Sequence, residues 1–151
     1  MTYEVPLDDP GTHYWHAHAG SLRAEGPAGA LIVDDPGDVH SDLYDEELPP
    51  LMLSDWWRDD SREQAAGLSQ KNFRWIGDPA SVLHNGVGLP NGCCETGGPP
   101  QPSPPCECTA ESLLSLHVEF GRRYRLRLIN AGALSYLNFQ IEGTPNTLPC
   151  P

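Results

Sequence analysis

Positive charge is what this chain has least of. Lys and Arg together number 9 of 151 residues, against 21 Asp and Glu, for a formal charge of −12. A polyanion such as nucleic acid, or an anionic membrane surface, needs a basic patch to hold it, so both are excluded as partners. Long apolar runs are missing too: no stretch approaches the roughly 18–20 residues that cross a bilayer. The opening "MTYEVPLDDPGTH" is acidic and has no apolar centre, so it does not read as a signal peptide. A secreted destination would require an N-terminus further upstream. Repeats of solenoid period are absent as well.

What is abundant is punctuation: 15 Gly and 16 Pro, the composition of a loop-rich β protein. Apolar residues recur with period two. "LLSLHVEF" (113–120), "RRYRLRLIN" (122–130) and "SYLNFQIE" (135–142) each alternate apolar with polar side chains. They predict half-buried strands of a β-sandwich, with Tyr124, Leu126 and Leu128 on one face and Arg123, Arg125 and Arg127 on the other. Further strands are expected over 12–18, 29–33 and 50–56. A short helix is expected over 61–70, with Ser61 as its N-cap and Gln64 three residues on. Residues 34–50, "DDPGDVHSDLYDEELPP", are acidic and proline-rich and read as an exposed connector between two β units. A second irregular stretch, 89–109, is a Pro/Gly loop carrying Cys93, Cys94, Cys106 and Cys108.

Residues 11–20, "GTHYWHAHAG", place three histidines within six positions. On a strand His16 and His18 project to the same side, about 6.5–7 Å apart along the chain, while the small Ala17 faces away. Neutral imidazole is a good ligand for copper, zinc or iron. Two near-parallel imidazoles suit two adjacent ions at least as well as one. A bare His-x-His on an edge strand is also compatible with two surface histidines. His13 falls on the opposite face, His40 in the connector, His84 in a turn and His117 on the polar face of its strand, so none of them is assigned to a metal.

The wider context separates these readings. "GTHYWHAHAGSLRAEGPAGALIV" resembles the second copper-binding signature of the multicopper oxidases, the laccase and ascorbate oxidase family. Gly11, Thr12, Tyr14, Trp15, His16, His18, Gly26, Gly29, Ile32 and Val33 fall in place. "PPLMLSDWWRD" resembles the opening of that family's second cupredoxin domain. "SVLHNGVGL" is similar to its Asn-Gly turn, with His84 replacing an aliphatic residue, and "HVEFGRRYRLRLINAGALSYLNFQIEG" to the strand pair that follows. The match runs over residues 10–143.

The resemblance implies an all-β fold of incomplete cupredoxin-like Greek-key β-sandwich pieces. Residues 1–35 would end one cupredoxin domain, 36–50 would be the acidic linker, 51–143 would begin the next, and 144–151 would be a divergent tail. It implies that His16 and His18 each ligate one copper of a type 3 pair within a trinuclear cluster, with Trp15 packed behind them. The turn from Ser21 to Gly26 would carry supporting or proton-supplying groups; Arg23 and Glu25 could equally be an exposed pair. In the complete enzyme a small-molecule reductant, phenols or similar, would be oxidised one electron at a time and dioxygen reduced to water. The family's other histidine segments have no counterpart here, and Thr144 stands where it would read His, so the chain is expected to be a fragment.

Four cysteines in one loop allow three pairings. Two cross-loop disulfides are expected, in keeping with an oxidising, extracellular setting; a zinc or Cu(I) thiolate site is the alternative. None of the five cysteines, Cys150 included, lies between two histidines as the family's type 1 copper ligand does. Two other functions stay in view. One is a non-catalytic copper-binding module derived from the family. The other is a zinc hydrolase, which lacks a carboxylate at matching ligand spacing.

Overall fold

The computed structural model describes residues 2–91 and 114–141. Strands dominate it, as the period-two patterning predicts, and the cupredoxin-like, all-β class holds. β1 (Gly11–His16) and β2 (Ala28–Val33) form an antiparallel pair, in register from Gly11 opposite Val33 to His16 opposite Ala28. One further bond, from Ala17 N–H to the Pro27 carbonyl at 3.0 Å, carries the ladder past the end of β1. A 3₁₀ turn over Leu22–Glu25 reverses the chain and ends on Gly26, whose φ of 91° is left-handed.

The acidic connector contributes β3 (Glu46–Glu47). It is followed by β4 (Leu51–Trp56), the centre of a three-stranded sheet in the order β5-β4-β7. β5 (Ser81–His84) runs antiparallel to β4, and β7 (Leu128–Asn130) runs parallel to it. The two-residue strand β6 (Tyr124–Arg125) pairs with β3 in parallel. Beyond β5 the chain turns through Asn85 (φ 50°) and Gly86 (φ 81°), with His84 and Val87 exchanging backbone bonds of 2.7 and 3.0 Å. Positive φ at both central residues is the signature of a type I′ hairpin, the turn whose twist matches its flanking strands. The sequence places His84 in a turn; it is the last residue of β5.

A small core of Leu51, Leu53, Trp57, Ile129 and Ala131 lies beneath β4 and β7. Leu51, Leu53 and Asp55 alternate inward along β4, so the third inward position is a carboxylate. The one α-helix among the described residues, α1 (Ser61–Ser69), confirms the expected helix but moves its cap. Asp60 is the N-cap and accepts from Arg62 N–H at 2.8 Å. Ser61 is the first helical residue: its hydroxyl bonds the Ser21 hydroxyl at 2.8 Å and its N–H donates to Glu25 at 2.6 Å.

Three expectations for the later strands need correction. Residues 114–120 and 131–141 have no strand ladder among the described residues. Alternation predicts which side chains are apolar, but a strand also needs a partner for its backbone N–H and C=O groups. The expected strand 123–129 is split into β6 and β7. Its inward face is also the reverse of the one the apolar pattern predicts: Arg127 is 8% exposed and Ile129 4%, whereas Leu128 is 37% exposed.

The acidic connector explains the reversal. Glu47 takes Arg127 through two hydrogen bonds of 2.6 and 3.2 Å, and Thr12 accepts a third at 2.7 Å. Arg125 pairs with Asp38 and with Tyr44, Arg122 with Glu46 at 2.9 Å, and Arg123 with Asp45 at 3.2 Å. The connector is therefore docked by its carboxylates onto the arginine face, not simply solvated. Paired in this fork geometry, a guanidinium can be buried where a lone charge could not.

Candidate metal centre

The even-numbered side chains of β1 share one face, and three aromatic rings stack along it. The Tyr14 and His16 ring centroids lie 5.1 Å apart with planes inclined by 29°. Those of His16 and His18 lie 4.9 Å apart at 28°. His18 lies two residues past the end of β1, yet the Ala17–Pro27 bond keeps it on the same face. The strand alternation thus brings the two sequence-predicted ligands together, with rings closer than the backbone repeat between them.

The Nδ1 atom of His16 lies 3.0 Å from the Ala17 carbonyl oxygen. A carbonyl can only accept, so Nδ1 carries the proton and the neutral ring presents its lone pair at Nε2. His16 is half-buried and His18 exposed, so both rings can be reached by an ion. In-plane lone pairs of near-parallel rings run side by side, an arrangement suited to two adjacent ions. The donor set fits copper, for which imidazole nitrogen is a preferred ligand. Two nitrogens are only part of a coordination shell, however. Among the described residues no group of three or more His, Cys, Asp or Glu side chains is assembled for a metal.

The other histidines stand apart. His13, on the opposite face, donates from Nε2 to the Asp9 carbonyl at 3.0 Å. His40 precedes a 3₁₀ turn and uses its backbone N–H on Asp38 at 2.9 Å. His84 sits in the hairpin, and His117 is exposed. The cysteines all lie outside the described residues.

Trp15 does not pack behind the histidines. It faces the other way, 55% exposed, over its cross-strand partner Gly29. A Cβ at Gly29 would meet the indole nitrogen at 2.5 Å. The ring that backs His16 is Tyr14. Nor do Arg23 and Glu25 form a pair with each other. Arg23 donates to the Tyr14 hydroxyl at 3.0 Å and to the Gly132 carbonyl at 3.2 Å. Glu25 caps α1 through Ser61, whose hydroxyl and then backbone N–H hold its carboxyl below the usual range.

Asp55, which builds the neighbouring loop, is not singled out in the sequence reading. It is 6% exposed and accepts backbone N–H bonds from Ala133, Leu134 and Ser135 at 2.7, 3.0 and 2.8 Å. Desolvation pushes its pKa up, but these bonds to the charged form outweigh it, and the net direction is down. A charged residue at an inward position of an otherwise apolar alternation was the available signal.

A sequence model described as multicopper oxidase matches residues 47–145. The chain belongs to the multicopper oxidase family. A second model, also described as multicopper oxidase, matches residues 1–38. An L-ascorbate oxidase of Brassica rapa subsp. pekinensis is 39% identical over 150 residues, 95% of this chain and 26% of that protein. An L-ascorbate oxidase of Cucumis sativus is 40% identical over 145 residues, 93% of this chain and 24% of that protein. Laccase-1 of Thanatephorus cucumeris is 34% identical over 145 residues, 94% of this chain and 23% of that protein. The chain spans about a quarter of the length of these relatives. As a multicopper oxidase segment it carries the stacked imidazole pair within the part of the chain these relatives match.

Proposed function

We propose that this chain is part of a laccase- or ascorbate oxidase-like enzyme in which His16 and His18 each hold one copper of the pair that meets dioxygen. The observation that carries this is the stacked His16–His18 pair, 4.9 Å between rings, with the His16 Nε2 lone pair left free by its Nδ1 bond. The chemistry supplied by bound copper is the transfer of four electrons, taken singly from a small reductant such as a phenol or ascorbate, to dioxygen with formation of two waters. The chain's own contribution is orientation. The β1–β2 ladder sets the separation of the two histidines, and the Nδ1 bond sets the tautomer of His16.

Residues 1–35 are read as the end of one cupredoxin domain and 51–143 as the start of the next, joined by the linker 36–50. The meeting of the two family matches between residues 38 and 47 supports this division. The loop cysteines and the kinship with such oxidases support an extracellular, disulfide-permitting location. The test is dioxygen consumption by the full-length protein with phenol or ascorbate as reductant. Turnover in the wild type and its loss in His16→Ala are expected; undiminished turnover in His16→Ala would sink the assignment.

A second reading is a copper-binding module without turnover, which needs no more than the stacked His16–His18 pair. Sequencing the whole transcript separates the two. Further histidine segments in frame support the enzyme, and their absence supports the module.

A further inference from the structure

We propose that Tyr14 and Arg23 are positioning residues for the histidine pair, linking its ring orientation to the loop that Asp55 holds on the neighbouring sheet. This inference rests on the copper reading above. It starts from the ring column. No ring hydrogen bond holds His18 among the described residues, and its ring stacks on that of His16. His16 in turn is flanked on its other side by Tyr14. Whatever fixes the Tyr14 ring therefore narrows the rotation of both imidazoles.

Arg23 is what fixes it. One guanidinium nitrogen serves both the Tyr14 hydroxyl and the Gly132 carbonyl. The Gly132 segment is itself rigid: its N–H donates to Asn130 at 3.0 Å, and the next three N–H groups converge on Asp55. An exposed arginine loses rotamer freedom when held in one place, so two acceptors on separate segments are needed to keep it there. The Gly26 turn closes the same seam, since a Cβ on Gly26 would lie 3.3 Å from the Trp56 ring. The histidine face is thus braced from β4 and β7 through Tyr14, Arg23 and the segment from Gly132 to Ser135.

The experiment measures copper loss to a chelator from the copper-loaded full-length enzyme, with Tyr14→Phe, Arg23→Gln and the double variant. Tyr14→Phe keeps the stacked ring and deletes only the acceptor, so it remains informative if Arg23→Gln folds poorly. Supporting groups behind metal ligands change affinity by about 10- to 100-fold when removed. Each single change is expected to speed loss of the histidine-bound copper by about 10-fold, with the blue type 1 colour and the melting temperature unchanged. The double variant should be no faster than the faster single one, because both changes break one link. Unchanged rates in both single variants, or effects that add, would overturn the proposal. His16→Ala, run in parallel, tells the two failures apart. If it keeps full copper, the ligand assignment fails and this inference with it. If it loses copper while Tyr14→Phe does not differ from wild type, this inference alone fails.

Discussion

Asp55 is a single carboxylate asked to satisfy three backbone N–H groups, and its burial makes that task costly to abandon. Replacing it with Ala leaves those donors without their acceptor, at a cost of roughly 3 kcal/mol. Asp55→Asn should cost less but not nothing, since its amide N–H₂ would face a donor. Both are checked by denaturant unfolding of the full-length protein. The pH dependence follows from the sign of the shift. Asp55, Asp38, Asp45, Asp60 and Glu25 are all held below their ordinary values, Asp38 through the His40 N–H and Arg125, and Asp45 through Arg123. A depressed carboxylate stabilises the fold fully above its unfolded value. That contribution is lost as pH falls below about 4 and on through the folded values. A melting temperature unchanged from pH 6 to pH 3 would contradict this.

At the scale of elements, the connector and the arginine strands form one unit. Glu47→Gln weakens the fork on Arg127 and leaves a nearly buried guanidinium under-paired, which should destabilise by about 3 kcal/mol. Proteolysis within residues 34–50 should accelerate in step; an unchanged cleavage rate would mean the connector is not held by this pairing. The Pro/Gly loop is tested separately. Mass spectrometry of material purified without reductant should link Cys93 and Cys94 each to Cys106 or Cys108, whereas four free thiols would favour the thiolate-metal alternative.

Element scale is also where the sequence was most and least legible. β1 and β2 are readable because each carries its own pattern and adjoins its partner in the chain, and β4 and α1 because their own patterns are local. The alternating stretches 114–120 and 135–141, which join no strand ladder among the described residues, are not, because side-chain alternation is local whereas a ladder partner is not. The inward turn of Arg127 was hidden for the same reason: Glu47 and Thr12, its partners, are 80 and 115 residues away. In the site, the pairing of His16 with His18 followed from the period of a strand. The expectation of Trp15 as the backing ring fails, because strand parity puts Tyr14, not Trp15, on the histidine face.

For the whole molecule, exposed apolar side chains set the expectation. Phe120 and Tyr136 are fully exposed, and Val118, Phe73 and Trp75 largely so. Faces of this kind associate when left uncovered. The 151-residue chain expressed alone should therefore self-associate and show no oxidase turnover with added copper. Sedimentation as a stable monomer, or turnover abolished by His16→Ala, would each count against that. The most direct test of the central claim is copper content per molecule of the full-length protein, read together with its visible spectrum, in five single Ala variants. His16→Ala and His18→Ala are predicted to lose histidine-bound paired copper while keeping the blue type 1 colour, and His13→Ala, His40→Ala and His117→Ala to keep the full complement. Copper retained in His16→Ala but lost in His13→Ala would contradict the strand register and the site built on it.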